Sequence, residues 1–222
     1  SRKITGKAQF INQKTIQVNG QHYQAKSFIL AVGSQPTINK DWKRDIGDHL
    51  LTSDQIFEIP TLPKSLAVIG SGVIAIELAQ AMHRLGVETT IFARSRKVGS
   101  LSSPNLQTLA VDVLSQELNI KFEVLPEQIK LENDKVKIAF KEDNVLKKIE
   151  VDYVLNATGR KSLLSTLKLE NIEPVFQDLD HLPIHPETNK LADYPIFVAG
   201  DAYTDSPIQH EAAHAGRKAV KN

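Results

Sequence analysis

The stretch that decides the fold is Ser65–Arg96, SLAVIGSGVIAIELAQAMHRLGVETTIFARSR. Val68 and Ile69 close a short apolar strand, a helix runs without a breaker to Leu85-Gly86, and Thr89–Ala93 reads as a second apolar strand. Between the first strand and the helix stands Gly70-Ser71-Gly72-Val73-Ile74-Ala75, a G-x-G-x-x-A turn. Gly70 permits the tight turn out of the strand, Gly72 lets backbone approach a pyrophosphate, and the small Ala75 allows close packing of helix on sheet. The unpaired N–H groups and the dipole of the helix start then favour an anion. The string alone is weak evidence; inside a strand–turn–helix–strand unit it points to a dinucleotide site.

The far end of the second strand bears on which dinucleotide. An NAD site places Asp or Glu there for the ribose 2′-hydroxyl, whereas an NADP site offers arginine to the 2′-phosphate. Here Ala93 holds the acidic position and Arg94-Ser95-Arg96-Lys97 follow, with no carboxylate between Glu88 and Asp112. A planar guanidinium suits a phosphate better than an ammonium does. NADP(H) is therefore expected over NAD(H).

The bulk numbers exclude some classes of function. A formal net charge of +1 over 222 residues argues against a dedicated nucleic-acid or membrane-surface binder. No cysteine is present, so this chain offers no disulfide, thiolate chemistry or cysteine-based metal site. The most apolar run, Ser65–Met82, is broken by Ser71, Glu77 and Gln80, and a span needs about 20 mostly apolar residues. No membrane segment and no signal segment are expected, and the expected location is the cytoplasm. The first residue is Ser rather than Met, and a fragment of a longer protein is expected.

Along the chain, residues 8–11, 15–18 and 22–25 alternate in polarity and are parted by turn residues, as in hairpins. Residues 27–33 form a nearly continuous apolar run, predicting a strand buried on both faces. Residues 34–63 read as loop, with Pro36, Pro60, Pro63 and the charged cluster 41–45. Ser103 as N-cap and Pro104 at the first helical position start a second helix. Its apolar face is predicted to carry Leu106, Leu109, Val113, Leu114 and Leu118. A strand at 121–124, a β-meander over 128–149, a strand at 151–157, a buried strand at 196–201 and an amphipathic helix at 208–220 complete the reading.

Ala31-Val32-Gly33-Ser34, the G-x-G-x-x-A unit with Glu77, Ala157-Thr158-Gly159-Arg160, Ile196–Asp201 and His210-Glu211-Ala212-Ala213 occur in this order. The set resembles the class I flavoprotein pyridine nucleotide-disulfide oxidoreductases, the family of dihydrolipoamide dehydrogenase, glutathione reductase and mercuric reductase. The resemblance covers the whole chain. It implies an α/β fold, with a Rossmann-like NAD(P)-binding domain and its β-meander inserted into a partial FAD-binding domain of similar three-layer type. On that pattern residues 1–61 belong to the FAD domain, 62–162 to the NAD(P) domain, and 163–222 to the FAD domain resuming. The family's own opening G-x-G-x-x-G, its redox C-x4-C and its closing dimerisation domain have no counterpart in this sequence. A homodimeric parent enzyme is implied, passing hydride from NADPH to FAD and electrons to a disulfide or similar small acceptor. A stand-alone, non-catalytic dinucleotide-binding module is the alternative reading.

The resemblance also assigns residues. Gly70, Ser71, Gly72, Val73 and Ile74 would line the pyrophosphate turn, and Arg94, Ser95 and Arg96 the 2′-phosphate, although Ser100 stands where glutathione reductases carry a further arginine. Glu77 would lie near the nicotinamide, and Thr158, Gly159 and Arg160 would border it, at a strand end where open α/β sheets bind ligands. Gly33 and Ser34 would approach the flavin nucleotide, and Asp201, after Gly200, would accept from the FAD ribityl chain. His185-Pro186-Glu187-Thr188 has a superficial likeness to the family's acid/base pair but reads better as a surface turn. His210 and His214, four apart, lack a third ligand, and no metal site is expected. No catalytic set is recognisable in the chain.

Overall fold

Local sequence chemistry sets most element boundaries in the computed structural model, which describes residues 2–203 and 208–221. The strands are β1 (Ala8–Asn12), β2 (Thr15–Val18), β3 (Gln21–Gln24), β4 (Phe28–Leu30), β5 (Ser34–Pro36), β6 (Leu50–Leu51), β7 (Ser65–Ile69) and β8 (Glu88–Ala93). They continue with β9 (Asn119–Phe122), β10 (Pro126–Glu132), β11 (Lys135–Glu142), β12 (Val145–Val151), β13 (Tyr153–Asn156), β14 (Arg160–Ser162) and β15 (Ile196–Val198). The helices are α1 (Lys40–Ile46), α2 (Val73–Arg84), α3 (Pro104–Glu117) and α4 (Gln209–Lys221). No helix of the described residues is long and apolar enough to cross a membrane.

The chain divides into two compact units, Ser1–Gln35 with Lys161–Asn222, and Pro36–Arg160. Residues 36–61, expected on the first-domain side of a 61/62 boundary, group here with the central unit for a physical reason. Asn39 caps α1 by accepting from the N–H groups of Asp41 and Trp42 at 3.0 and 3.1 Å. That turns the charged cluster into a helix whose Ile46 is buried with Leu50, Phe92 and Val154. Leu51 and Ile56 join the core made by Leu66, Val68 and Leu155. The proline-marked stretch is thus not the loop expected of it.

In the central unit five strands run parallel in the order β6-β13-β7-β8-β9. From β7 the chain winds through α2, β8, α3 and β9 in one direction, while β13 lies on the other side of β7. The strand order therefore reverses between β7 and β13, the place where such sheets leave a crevice at their carboxyl ends. Leu66–Ile69, Ile91–Ala93, Val154 and Leu155 are fully buried, as befits strands covered on both faces. The meander β10-β11-β12 turns at Asn133-Asp134 and Asp143-Asn144, all four with φ between 52° and 62°. Paired left-handed residues of this kind match the twist of a two-residue hairpin. Val136, Ile138 and Phe140 bury the inner face of the meander against Phe92.

The expected apolar face of α3 holds at Leu114 and Leu118 and is corrected at Leu106, Leu109 and Val113. Leu106, Leu109 and Val113 are 52%, 59% and 55% exposed, while Val111 and Leu118 are buried and Leu114 packs beside them. Two apolar stripes at i, i+3, i+7 coexist here, 106/109/113 and 111/114/118, and periodicity alone does not choose between them.

In the other unit β1-β2-β3 form an antiparallel meander, and β15 pairs in parallel with β4, Val198 opposite Leu30. Its core gathers Phe10, Leu30, Leu164, Leu169, Phe176, Leu182, Leu191, Ile196 and Val198. The run 27–33 is not buried on both faces as expected: β4 is three residues long and Ile29 is 47% exposed.

Candidate nucleotide-binding cleft

The G-x-G-x-x-A turn opens onto a cleft of about 340 Å³ at the carboxyl ends of β7, β8 and β13. Gly70, Ser71 and Gly72 line it after β7, Phe92 and Arg94 at the end of β8, and Ala157, Thr158 and Gly159 after β13, and Leu125 lines it too. The cleft thus sits at the reversal of strand order.

Each small residue of the turn has its own reason. Gly70 adopts φ +124°, donates its N–H to the Phe92 carbonyl at 2.9 Å, and passes so close to Ala157 that no Cβ would fit. Gly72 is extended, with φ −69° and ψ 178°, and serves as N-cap of α2 without any side-chain hydrogen bond. Nothing lies within 4 Å of where its Cβ would be. The first-turn N–H groups of α2 are left without a capping side chain, and such donors at a helix start favour an anion. Ala75 is fully buried against the sheet. Val73 and Ile74, in the first turn of α2, are 43% and 37% exposed and do not line the cleft. The Ser71 carbonyl accepts from the Gly99 N–H at 2.8 Å, tying the loop after β8 to the turn. Gln107 of α3 holds the same loop through the N–H and carbonyl of Val98, at 3.0 and 2.9 Å.

Ala93 is buried at the end of β8, and Arg94, Ser95, Arg96 and Lys97 are exposed after it. Arg94 lines the cleft; the Arg96 guanidinium lies 5.3 Å over the Phe122 ring. No carboxylate, histidine or cysteine is among the lining residues, so the cleft is equipped to bind and offers no proton-transferring pair of its own. Arg94, Arg96 and Lys97 take part in no ion pair among the described residues.

Of the other expected residues, Thr158 and Gly159 lie in the cleft, Gly159 with φ +126°. Arg160 does not line it; its Nη1 reaches Ser53 Oγ at 3.2 Å and Asp54 Oδ1 at 3.3 Å. Glu77 is exposed on α2 and lies outside the cleft. Phe92, Leu125 and the buried Asn156 next to Thr158 are not among the residues expected from the sequence. An asparagine within the apolar run 151–157 was the available signal for the last.

The remaining candidates stand in the other unit. Gly33 has φ +69° and its carbonyl accepts from Leu163 at 3.0 Å, with Ser34 next to it in β5. Gly200, also at φ +69°, and the half-buried Asp201 start a short 3-10 turn directly after β15. Gly200 faces α4 across a hollow of about 140 Å³ that Tyr203, Glu211, His214 and Lys218 also line. His210 and His214 are exposed, and no group of three or more potential metal ligands occurs among the described residues. His185 closes a turn, its Nδ1 accepting from the Glu187 N–H at 3.2 Å and its carbonyl from Asn189 at 2.8 Å.

Comparison with known proteins agrees with this architecture. A model of the family described as pyridine nucleotide-disulphide oxidoreductase matches residues 2–216. The chain is 33% identical over 220 residues to a mercuric reductase of Staphylococcus aureus, covering 99% of this chain and 40% of that protein. It is 31% identical over 229 residues to a dihydrolipoyl dehydrogenase of Chlamydia pneumoniae, covering 100% of this chain and 48% of that protein. Among solved structures, LpdA from Mycobacterium tuberculosis superposes with a TM-score of 0.79 at 21% identity, over 98% of this chain and 49% of its own. The HOCl-induced flavoprotein disulfide reductase RclA from Escherichia coli gives 0.75 at 18%, over 96% and 48%. At such identities the structural likeness speaks for the fold. The chain spans less than half the length of these relatives.

Proposed function

The chain belongs to the pyridine nucleotide-disulphide oxidoreductase family, and on that premise we propose that its central unit binds NADPH in preference to NADH. We take residues 36–160 as the NAD(P)-binding domain and residues 1–35 with 161–222 as part of an FAD-binding domain, the two serving a homodimeric oxidoreductase in the cytoplasm. The observation that carries the reading is Arg94, which follows β8 and lines a cleft without a carboxylate.

The residues fit the group. The uncapped N–H groups opening α2 and the open space at Gly72 suit a pyrophosphate. Arg94, with Ser95 and Arg96 beside it, suits a 2′-phosphate. The adenosine half then lies toward β8 and the nicotinamide half toward the end of β13, near Thr158 and Gly159, with Arg160 and Glu77 outside that lining. Gly33, Ser34, Gly200 and Asp201 are assigned to the flavin nucleotide on the strength of family membership. A bound nicotinamide supplies a hydride, for which a flavin is the acceptor and a disulfide or similar group the final electron sink. What this chain does is bind, orient and balance charge; the hard chemistry belongs to the cofactors.

The test is a pair of titrations of NADPH and NADH, repeated on Arg94→Ala. Loss of one charge-assisted phosphate contact weakens NADPH about tenfold or more and leaves NADH nearly unchanged. Equal affinity for both nucleotides in the parent, or an Arg94→Ala variant with undiminished NADPH affinity, overturns the preference.

A further inference from the structure

Behind the cleft stands a polar side chain that the proposed phosphate contacts do not use. Asn156 ends β13, is 2% exposed, and is the one carboxamide among the buried polar residues described; the others are threonines. A buried amide left unpaired is strongly unfavourable, and a strand-end position has no need of one for its ladder. Both ends of this amide are engaged. Its Nδ2 donates to the Thr37 carbonyl at 2.9 Å, and its Oδ1 accepts from the Thr158 hydroxyl at 2.8 Å. The first contact fixes which end is nitrogen, because a carbonyl only accepts. The second then fixes the direction of the Thr158 proton.

A hydroxyl has one proton to give. With that proton held by Asn156, the Thr158 oxygen has only lone pairs left for the cleft it lines. The same amide also steadies the rim, since the Thr37 N–H closes onto the Gly159 carbonyl at 2.9 Å. We infer that Asn156 is a positioning residue that makes Thr158 a hydrogen-bond acceptor in the cleft, selecting a nucleotide that presents an N–H or O–H donor there. This rests on the dinucleotide reading above. With Arg94 marking the adenosine side, the donor belongs to the nicotinamide half: its carboxamide NH2 or its ribose hydroxyl.

The experiment is fluorescence titration of the full chain with NADPH and with 2′,5′-ADP, which lacks the nicotinamide half. Thr158→Val is expected to weaken NADPH about three- to tenfold, the worth of one hydrogen bond, and to leave 2′,5′-ADP unchanged. Thr158→Ser, which keeps the hydroxyl, restores NADPH binding. Asn156→Val leaves the Thr158 lone pairs in place but no longer aims them, and gives a smaller loss confined to NADPH. Because Asn156 acts through Thr158, the double variant loses no more than Thr158→Val alone. The 3-acetylpyridine analogue of NADPH separates the two donors: if the carboxamide is the partner, its binding no longer responds to Thr158→Val, and if the ribose is, it still does. Undiminished NADPH affinity in Thr158→Val overturns the inference while leaving the dinucleotide reading intact. A parent chain that binds neither NADPH nor 2′,5′-ADP overturns both.

Discussion

A Cβ on Gly70 would stand 2.4 Å from the carbonyl oxygen of Ala157, the residue that follows the neighbouring strand β13. Backbone cannot yield there, and φ at Gly70 is +124°, a conformation side chains rarely adopt. Gly72, two residues on, has open space and an ordinary φ of −69°. One glycine answers a need of the sheet and the other leaves room at the cleft. Gly70→Ala is expected to cost at least about 2 kcal/mol in a urea melt. Gly72→Ala is expected to stay within about 1 kcal/mol of the parent and to weaken nucleotide binding instead. Equal destabilisation by both substitutions would contradict this division of roles.

Asp152 joins three segments at the opposite end of the sheet. Its carboxylate accepts from the N–H groups of Lys64 and Ser65 at 2.8 and 2.9 Å and from the Lys135 ammonium. Burial by itself would push its pKa up, but the lysine and the two backbone donors outweigh that and hold it below the usual carboxylate value. A carboxyl more acidic folded than unfolded stabilises the protein above the unfolded pKa, about 3.9, and loses that contribution as pH falls through the folded one. Asp152→Asn is expected to be less stable than the parent by about 1–3 kcal/mol at pH 7. The gap narrows in denaturant midpoints taken below about pH 4. A gap that does not change with pH would show that the carboxylate charge is not what matters.

The two stripes of α3 make a direct contrast. Leu109 is 59% exposed and Val111 only 2%. Leu109→Gln is expected to shift stability by no more than about 0.5 kcal/mol, whereas Val111→Ala costs about 2 kcal/mol. The reverse order in thermal or urea unfolding would restore the face expected from the sequence.

The legible parts of the sequence share a physical basis. The glycine turn, the Ser103-Pro104 helix start and the hairpins of the meander depend on neighbours within a few residues. There, φ preferences, capping and the alternation of apolar side chains act locally. The tight turn at Gly70, with its positive φ, belongs to this class. The short helix α1 was hidden because its capping asparagine and its two inward residues, Trp42 and Ile46, sit in a run of charges. Its burial is decided by strands far along the chain. For α3 the sequence carried two equivalent stripes, and the sheet opposite chose one.

What the sequence by itself determined is a strand–glycine–helix unit and the family to which the chain belongs. Only the tertiary structure decided that Asn156 turns its amide between Thr158 and the Thr37 carbonyl, 119 residues away along the chain. Periodicity and propensity are properties of a segment alone. The direction of a hydroxyl proton depends on what the fold brings up behind it.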